Sequence, residues 1–138
     1  MPDIFPLEGL KDVFQELADS GAIPAYWHVR LFKNNVSIGA STVIGDFTEA
    51  DFSGYANVVA GSPVVDTDGA GRGRLTCAAV TFTCTGASPS NDIYGYYVTN
   101  SHTNKLVWAQ AWPSAPVTIN TAGQFLTVVP RLTDKSEV

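Results

Sequence analysis

The chain has 138 residues and a formal net charge of −5; hydrophobic residues make up 45% of it and charged residues only 15%. This length suits one domain of ordinary size, whose core needs neither disulfides nor metals. The sequence contains no run of Lys and Arg, which argues against nucleic acid and anionic membranes as partners. Few charges, with many Thr, Ser, Gly and Val, favour pleated strands and tight turns over amphipathic helices.

The sequence predicts neither export nor membrane insertion. No stretch approaches the roughly 18 apolar residues of a transmembrane helix. Asp3 and Glu8 stand where a signal peptide carries a basic region followed by an apolar one. We therefore expect a protein that acts where it is made, or that leaves by cell lysis or inside a larger particle.

The first predicted element is an amphipathic helix in residues 7–20. Pro6 suits its first turn and Gly21 is placed to end it. A helix of about four turns is marginal alone, so its apolar stripe should dock on the rest of the domain or on a neighbouring subunit. The stripe supplies four interface candidates: Leu7, Leu10, Phe14 and Leu17. The sequence thus divides into a helical arm at 1–24 and a β domain at 25–138.

After Pro24 the hydrophobic period changes from about 3.6 residues to about 2. Strands are predicted at 25–32, 36–44 and 58–66, with an acidic, aromatic loop between the second and the third. The longest strand signal follows at 74–86.

The last part of the chain contains a predicted hairpin, with strands 93–100 and 105–112 joined by the turn 101–104. Shorter strands are predicted at 116–119 and 124–130. About seven or eight short strands with frequent turns are typical of an antiparallel β-sandwich, either jelly-roll or Ig-like. With the helix, the predicted fold is mainly β with a short N-terminal α-helix.

The acidic, aromatic loop carries the main candidates for chemistry. Its carboxylates are Asp46, Glu49 and Asp51, and its aromatic side chains are Phe47, Phe52 and Tyr55. Two carboxylates about 5–10 Å apart across a cleft would hydrolyse a glycosidic bond, with the rings as sugar platforms. Alternatively, the rings anchor the loop in the core while the carboxylates face water, or the rings form an interface with a partner. We take the three rings as interface candidates.

Other motifs give weaker signals. Asp66 and Asp68 resemble the start of a calcium loop, but Gly69 comes too early and no closing Glu follows, which favours an ordinary turn. His28 lies in a predicted strand and His102 in a predicted turn, and no nucleophile signature accompanies them. The sequence therefore predicts no catalytic residue, no metal and no cofactor, and a protein that is not an enzyme.

The cysteines and the aromatic rows indicate packing roles. Cys77 and Cys84 are seven residues apart, so on one regular strand they would face opposite sides and lie too far apart for a disulfide. Two reduced, buried or half-buried thiols are expected. Tyr94 and Tyr96 would share a side of their strand, with Tyr97 opposite. Rows of this kind more often fill a core than bind a ligand.

Four stretches of the chain resemble small structural proteins of tailed bacteriophages, including cyanophages. They are the Leu-Phe-x-Asn-Asn turn at Leu31 to Val36, the aromatic loop at Asp46 to Tyr55, the Tyr-Gly-Tyr-Tyr-Val strand at Tyr94 to Val98, and the Leu-x-Trp-Ala strand at Leu106 to Ala109. The resemblance covers most of 30–132 and leaves the N-terminal helix unmatched.

This resemblance implies a virion component. The expected role is a capsid decoration (cement) protein that binds the major capsid protein on the outside of the assembled head, as a homotrimer made in the host cytoplasm. A tail- or fibre-associated module that contacts host glycans is the alternative. A small carbohydrate-active enzyme that uses the loop carboxylates is the third hypothesis.

Overall fold

The computed structural model describes residues 27–61, 64–67 and 73–133. The predicted helix, the arm 1–24 and the turn that follows Thr67 lie outside these residues. The described residues form one short 3-10 helix, Ile44–Asp46, and eleven strands. The strands are β1 (Trp27–Phe32), β2 (Val58–Val59), β3 (Val64–Thr67), β4 (Gly73–Thr76), β5 (Val80–Thr83), β6 (Asn91–Ile93), β7 (Gly95–Asn100), β8 (Lys105–Ala111), β9 (Val117–Ile119), β10 (Phe125–Val128) and β11 (Arg131–Thr133).

The strands pair into several antiparallel sheets, so the protein is mainly β, as predicted. The strand orders are β2-β1-β7-β8, β11-β4-β3, β10-β5 and β6-β9. In the described part of the chain, no helix is long and apolar enough to cross a bilayer.

The four-stranded sheet is built on the alternation that the sequence shows in β1 and on the predicted hairpin. All six residues of β1 pair with β7, from Trp27 opposite Asn100 to Phe32 opposite Gly95. The β7–β8 turn contains Asn104 at φ 57°, a conformation that Asn tolerates better than most residues. The Asn100 side chain accepts hydrogen bonds from the backbone N–H groups of the turn residues His102 and Thr103. The hairpin prediction is confirmed.

One face of this sheet contributes to the main hydrophobic cluster, which also receives side chains from the other sheets. Trp27, Val29 and Leu31 of β1 are each at most 1% exposed there. The Trp27 and Trp108 rings meet edge-to-face with centroids 6.0 Å apart, and the Trp108 indole N–H donates to the Tyr96 hydroxyl. Of the tyrosine row predicted to fill the core, Tyr96 is confirmed as a core side chain, at 1% exposure.

The opposite face of the sheet carries a second hydrophobic cluster, covered by the chain that follows β1. Its buried members are Phe32, Ile38, Phe47, Tyr97 and Ala109. The segment 36–44, predicted as a strand, is therefore irregular. It turns at Gly39, whose carbonyl accepts from the Thr42 N–H, because it must cross the sheet rather than extend it.

The predicted long strand 74–86 is two strands, β4 and β5, separated by residues 77–79. The break changes which side each later residue faces. Cys77 and Cys84, expected on opposite faces if the run were regular, are both buried in the main cluster and are not disulfide-bonded. The prediction of two reduced, buried thiols is confirmed, while the face assignment is wrong.

A second face assignment is also wrong. Tyr94 does not share a side with Tyr96, because it lies at the break between β6 and β7. Tyr94 packs with Tyr97 in the second cluster, whereas Tyr96 is buried in the main one. The break arises where the chain leaves the β6–β9 pair and joins the four-stranded sheet.

Candidate functional site

The loop from Asp46 to Tyr55 lies along the end of β1 and closes over the second cluster. Backbone hydrogen bonds hold it there: the Lys33 N–H donates to the Thr48 carbonyl, and the Ala50 N–H donates to the Leu31 carbonyl, both at 2.9 Å. The Asn34 side chain adds two more, donating to the Asp46 carbonyl and accepting from the Thr48 N–H. This loop carries most of the side chains singled out in the sequence.

The three rings of the loop point into the domain. Phe47 stacks on Tyr97 with centroids 4.5 Å apart and planes 9° apart, and Phe52 is only 2% exposed. Tyr55 stacks on Phe82 of β5 at 5.6 Å. Of these interface candidates, Phe47 and Phe52 are buried and Tyr55 is half-buried. They anchor the loop, and a partner would meet its polar side chains and backbone instead.

Glu49 uses both carboxylate oxygens within the domain. Its Oε1 forms a 2.9 Å ion pair with Arg30, and its Oε2 accepts from the Tyr55 hydroxyl at 2.7 Å. The same hydroxyl accepts from the Leu31 N–H, and Arg30 also donates to the Thr99 hydroxyl. Burial first, and then the hydrogen bond to Glu49, raise the pKa of Tyr55 well above its usual range. This network ties the loop to β1 and β7.

Asp51 is fixed from two directions. Its Oδ1 accepts from the Lys33 ammonium at 2.8 Å and from the Asn91 amide at 2.9 Å. These two hydrogen bonds, the one from Lys33 above all, lower the pKa of Asp51. The Asn91 side chain, buried at the start of β6, also accepts from the N–H groups of Asp51 and Phe52. Asp51 therefore stays ionised at neutral pH and holds the loop.

The third loop carboxylate closes a tight turn. Asp46 accepts from the Val43 N–H at 2.9 Å across the short 3-10 helix. All three carboxylates therefore hold the loop in place through hydrogen bonds or ion pairs within the domain. Within the described residues, no group of His, Cys, Asp and Glu has the geometry to hold a metal ion.

The remaining candidates have structural surroundings. His28 is half-buried, and its Nδ1 lies 2.8 Å from the Asn57 side-chain oxygen. His102 is exposed in the β7–β8 turn, where the sequence placed it. Burial raises the pKa of the Tyr97 hydroxyl to about 12 and that of the Cys77 thiol to about 11. Both groups are therefore neutral at neutral pH.

Some predicted features lie outside the description. The helix stripe Leu7, Leu10, Phe14 and Leu17 and Asp68 of the suggested calcium loop lie outside the described residues. The Asp66 backbone lies in β3, opposite Arg74.

Sequence reasoning missed two features of the site and its surroundings. The sequence places Asn91 only between the predicted strands 74–86 and 93–100, and nothing local shows that its amide reaches a loop 40 residues away. Phe125, on the predicted strand 124–130, is 64% exposed. The alternation of this strand was a usable signal, because it places Phe125 opposite in direction to the buried Val128.

The arrangement is thus a rigid loop clamped to a sheet by aromatic stacking, two ion pairs and one buried amide. The polar side chains of the loop are paired with neighbouring groups of the same domain. Comparisons of this chain with models of protein families, with curated proteins and with solved structures found no match.

Proposed function

We propose that this chain is a non-enzymatic decoration (cement) protein of a tailed bacteriophage, which binds the assembled head and stabilises it. One observation carries the proposal. The four stretches that resemble phage structural proteins, although far apart in the sequence, meet in the second hydrophobic cluster.

Each stretch contributes side chains to that cluster. The Leu-Phe-x-Asn-Asn turn supplies Phe32, and the aromatic loop supplies Phe47. The Tyr-Gly-Tyr-Tyr-Val strand supplies Tyr97, and the Leu-x-Trp-Ala strand supplies Ala109. Residues that resemble one family at four separate places and pack together are expected if they specify one shared structural unit. The packing of these four stretches together therefore supports a relationship of this chain to the phage structural proteins that they resemble.

The state of the polar groups supports a structural role over carbohydrate chemistry. A glycosidase needs one carboxyl that is protonated near neutral pH and another that faces the sugar. Here Glu49 is bound to Arg30 and Tyr55, and the hydrogen bond from Lys33 lowers the pKa of Asp51 rather than raising it. These carboxylates contribute to rigidity, which a shell-stabilising protein needs.

In this proposal the sheets stack as an antiparallel β-sandwich, jelly-roll or Ig-like. The support is the alternating burial on both sides of the main cluster: Val29 and Leu31 come from the four-stranded sheet, and Val80 and Phe82 come from β5. Such a sandwich would present rigid loops to the capsid. The resemblance implies a homotrimer on the head.

The deciding experiment is cryo-EM or immuno-gold localisation of the chain on virions of its source phage, with its copy number. Hundreds of copies over the head support the proposal, and their grouping gives the oligomer directly. A few copies at the tail would overturn it in favour of a tail-associated, glycan-contacting module. Absence from the virion would overturn both.

A deletion phage provides the functional test. Heads that lack a cement protein should burst more readily on heating and osmotic shock than wild-type heads. Restoring the chain in trans should restore resistance. Heads that survive both treatments as well as the wild type would contradict a stabilising role.

A further inference from the structure

The outward side of β5 and β10 forms an apolar, hydroxyl-rich surface that the proposed function does not use. Phe125 is 64% exposed and Val129, just after β10, is 39% exposed. The only other large hydrophobic side chains in the described residues with comparable exposure are Val43 and Val59. Two exposed apolar side chains four residues apart, in β10 and just after it, mark this surface as a candidate for contact with another molecule.

The strand register shows which side chains share this surface. Phe125 lies opposite Thr83, and Thr127 lies opposite Thr81, with the two threonine hydroxyls of the latter pair 3.1 Å apart. All four side chains are exposed, while Phe82 and Leu126 between them are buried and half-buried, respectively, and Val128 at the end of β10 is buried. We call the group Thr81, Thr83, Phe125, Thr127 and Val129 the Phe125 face. It carries no charged side chain.

A cation lies at one end of the Phe125 face. Exposure continues to alternate past Val129: Pro130 is buried, and Arg131 at the start of β11 is exposed. In the described part of the chain, the Arg131 side chain forms no ion pair. From β10 into β11, the exposed side chains are therefore an aromatic, a hydroxyl, an aliphatic and a cationic group, at Phe125, Thr127, Val129 and Arg131.

This order is self-complementary, and from it we infer that the Phe125 face binds a second copy of the chain about a two-fold axis. Antiparallel alignment of the two strands, centred on Val128, sets Phe125 against Arg131 of the partner subunit and Thr127 against Val129 of the partner subunit. A guanidinium over a phenyl ring is a favourable cation–π contact, and the symmetry makes it twice.

The charges favour this alignment over a parallel one. Antiparallel strands separate the two Arg131 residues by about 20 Å, since each residue of a strand rises about 3.3 Å. That distance exceeds the screening length of roughly 8–10 Å at physiological salt, so the like charges barely repel. A parallel alignment would place the two cations side by side. The lack of charge in the middle of the face is also typical of interface centres.

The contact goes beyond the proposed function and does not depend on it. A two-fold contact differs from the interface that closes a three-fold ring. A chain that is otherwise monomeric would form dimers through the Phe125 face, and one that is already trimeric would form hexamers. Two strands give a small interface, so the association should be weak and depend on concentration.

Sedimentation velocity of the full chain tests the inference between about 1 μM and about 1 mM, the range of weak association. The mass of the wild-type particle should double as the concentration rises. Phe125→Arg sets a cation against Arg131 of the partner subunit and should weaken association at least about tenfold. Phe125→Glu sets an anion there and should retain much more of it, because it replaces a cation–π contact by an ion pair. Val59→Ser, at another exposed hydrophobic position outside the Phe125 face, should leave association unchanged.

Comparing Phe125→Arg with Phe125→Glu tests the proposed alignment of Phe125 with Arg131 of the partner subunit. Both substitutions fall at an exposed position, and circular dichroism should show that they leave the fold intact. Equal loss of association in Phe125→Arg and Phe125→Glu would overturn the two-fold alignment with Arg131. A wild-type mass that stays constant up to about 1 mM, or a mass that doubles in Phe125→Arg as readily as in the wild type, would overturn the contact itself.

Discussion

Gly95 lies where β7 passes beneath the Phe32 ring. A Cβ at this position would meet the Phe32 ring at 2.8 Å and collide with the Gln110 carbonyl oxygen of β8. Because that carbonyl is backbone in a paired strand, it cannot move aside without breaking the hairpin. Gly95→Ala should therefore lower the free energy of unfolding by about 3 kcal/mol.

Urea unfolding followed by tryptophan fluorescence measures the effect. The matched control is Gly45→Ala in the 3-10 helix, where an added Cβ meets nothing within 4 Å. Its free energy of unfolding should change by less than about 0.5 kcal/mol. Equal stability of the two variants would contradict the close packing of Phe32 on Gly95.

Tyr97 predicts how stability depends on alkaline pH. Burial, and then the charge of Glu49, raise its pKa from 10.0 to about 12, so the folded state keeps a proton that the unfolded state loses. The stabilising contribution is fully present below about pH 10 and is lost as pH rises from 10 through 12. It amounts to about 3 kcal/mol, since the pKa rises by about two units and one unit corresponds to about 1.4 kcal/mol.

Tyr97→Phe keeps the stack on Phe47 but removes the titrating group. The free energy of unfolding of this variant should fall less steeply between about pH 10 and pH 12 than that of the wild type. Urea unfolding at several pH values gives the two slopes. Indistinguishable slopes would mean that Tyr97 titrates alike in the folded and unfolded states.

At the scale of elements, one side chain joins the β6–β9 pair to the loop over the four-stranded sheet. Asn91 is 2% exposed and accepts hydrogen bonds from the N–H groups of Asp51 and Phe52. Asn91→Ala leaves both donors without a partner and should cost about 2–4 kcal/mol of unfolding free energy. Asn91→Asp keeps the accepting oxygens but sets a carboxylate against Asp51, so it should also destabilise, and more at neutral than at acidic pH.

Chemical denaturation of both variants provides the measurement. Asn35→Ala, at an exposed position in the turn after β1, is the control and should lie within about 0.5 kcal/mol of the wild type. If Asn91→Ala is as stable as this control, water replaces the amide, and the loop does not depend on Asn91.

The same elements show what the sequence could predict. β1 and the β7–β8 hairpin depend on alternation and on turn residues such as Asn104, which are local signals. The segment 36–44 has the residue types of a strand, but it crosses a sheet face, and only the positions of Phe32 and Tyr97 decide that. The break between β4 and β5 likewise depends on tertiary pairing. The loop rings were predicted as either core or interface, and the choice required knowing that Tyr97 and Phe82 lie beneath them.

At the scale of the whole molecule, two hydrophobic clusters share the four-stranded sheet. Tyr96 and Tyr97 are neighbours in β7, yet Tyr96 belongs to the main cluster and Tyr97 to the second. Loss of either cluster therefore exposes the sheet that supports the other. We expect the described domain to unfold as one cooperative unit, as most single domains of this size do.

The two thiols report on that cooperativity. Cys77 and Cys84 are at most 2% exposed in the main cluster, and burial raises the pKa of Cys77 to about 11. In native conditions their reaction with a thiol reagent should be at least about a thousandfold slower than that of a free thiol, because it requires opening of the core. Mass spectrometry of the labelled peptides separates the two sites.

Destabilisation from the other side of the sheet makes the test specific. Gly95→Ala perturbs the packing of Phe32 in the second cluster, whereas both cysteines lie in the main one. If the clusters open together, this variant should accelerate labelling of both thiols by the same factor, and that factor should match its loss of unfolding free energy. If the variant is destabilised but its thiols react at the wild-type rate, the second cluster opens alone. The loop over the four-stranded sheet would then be a separate unfolding unit.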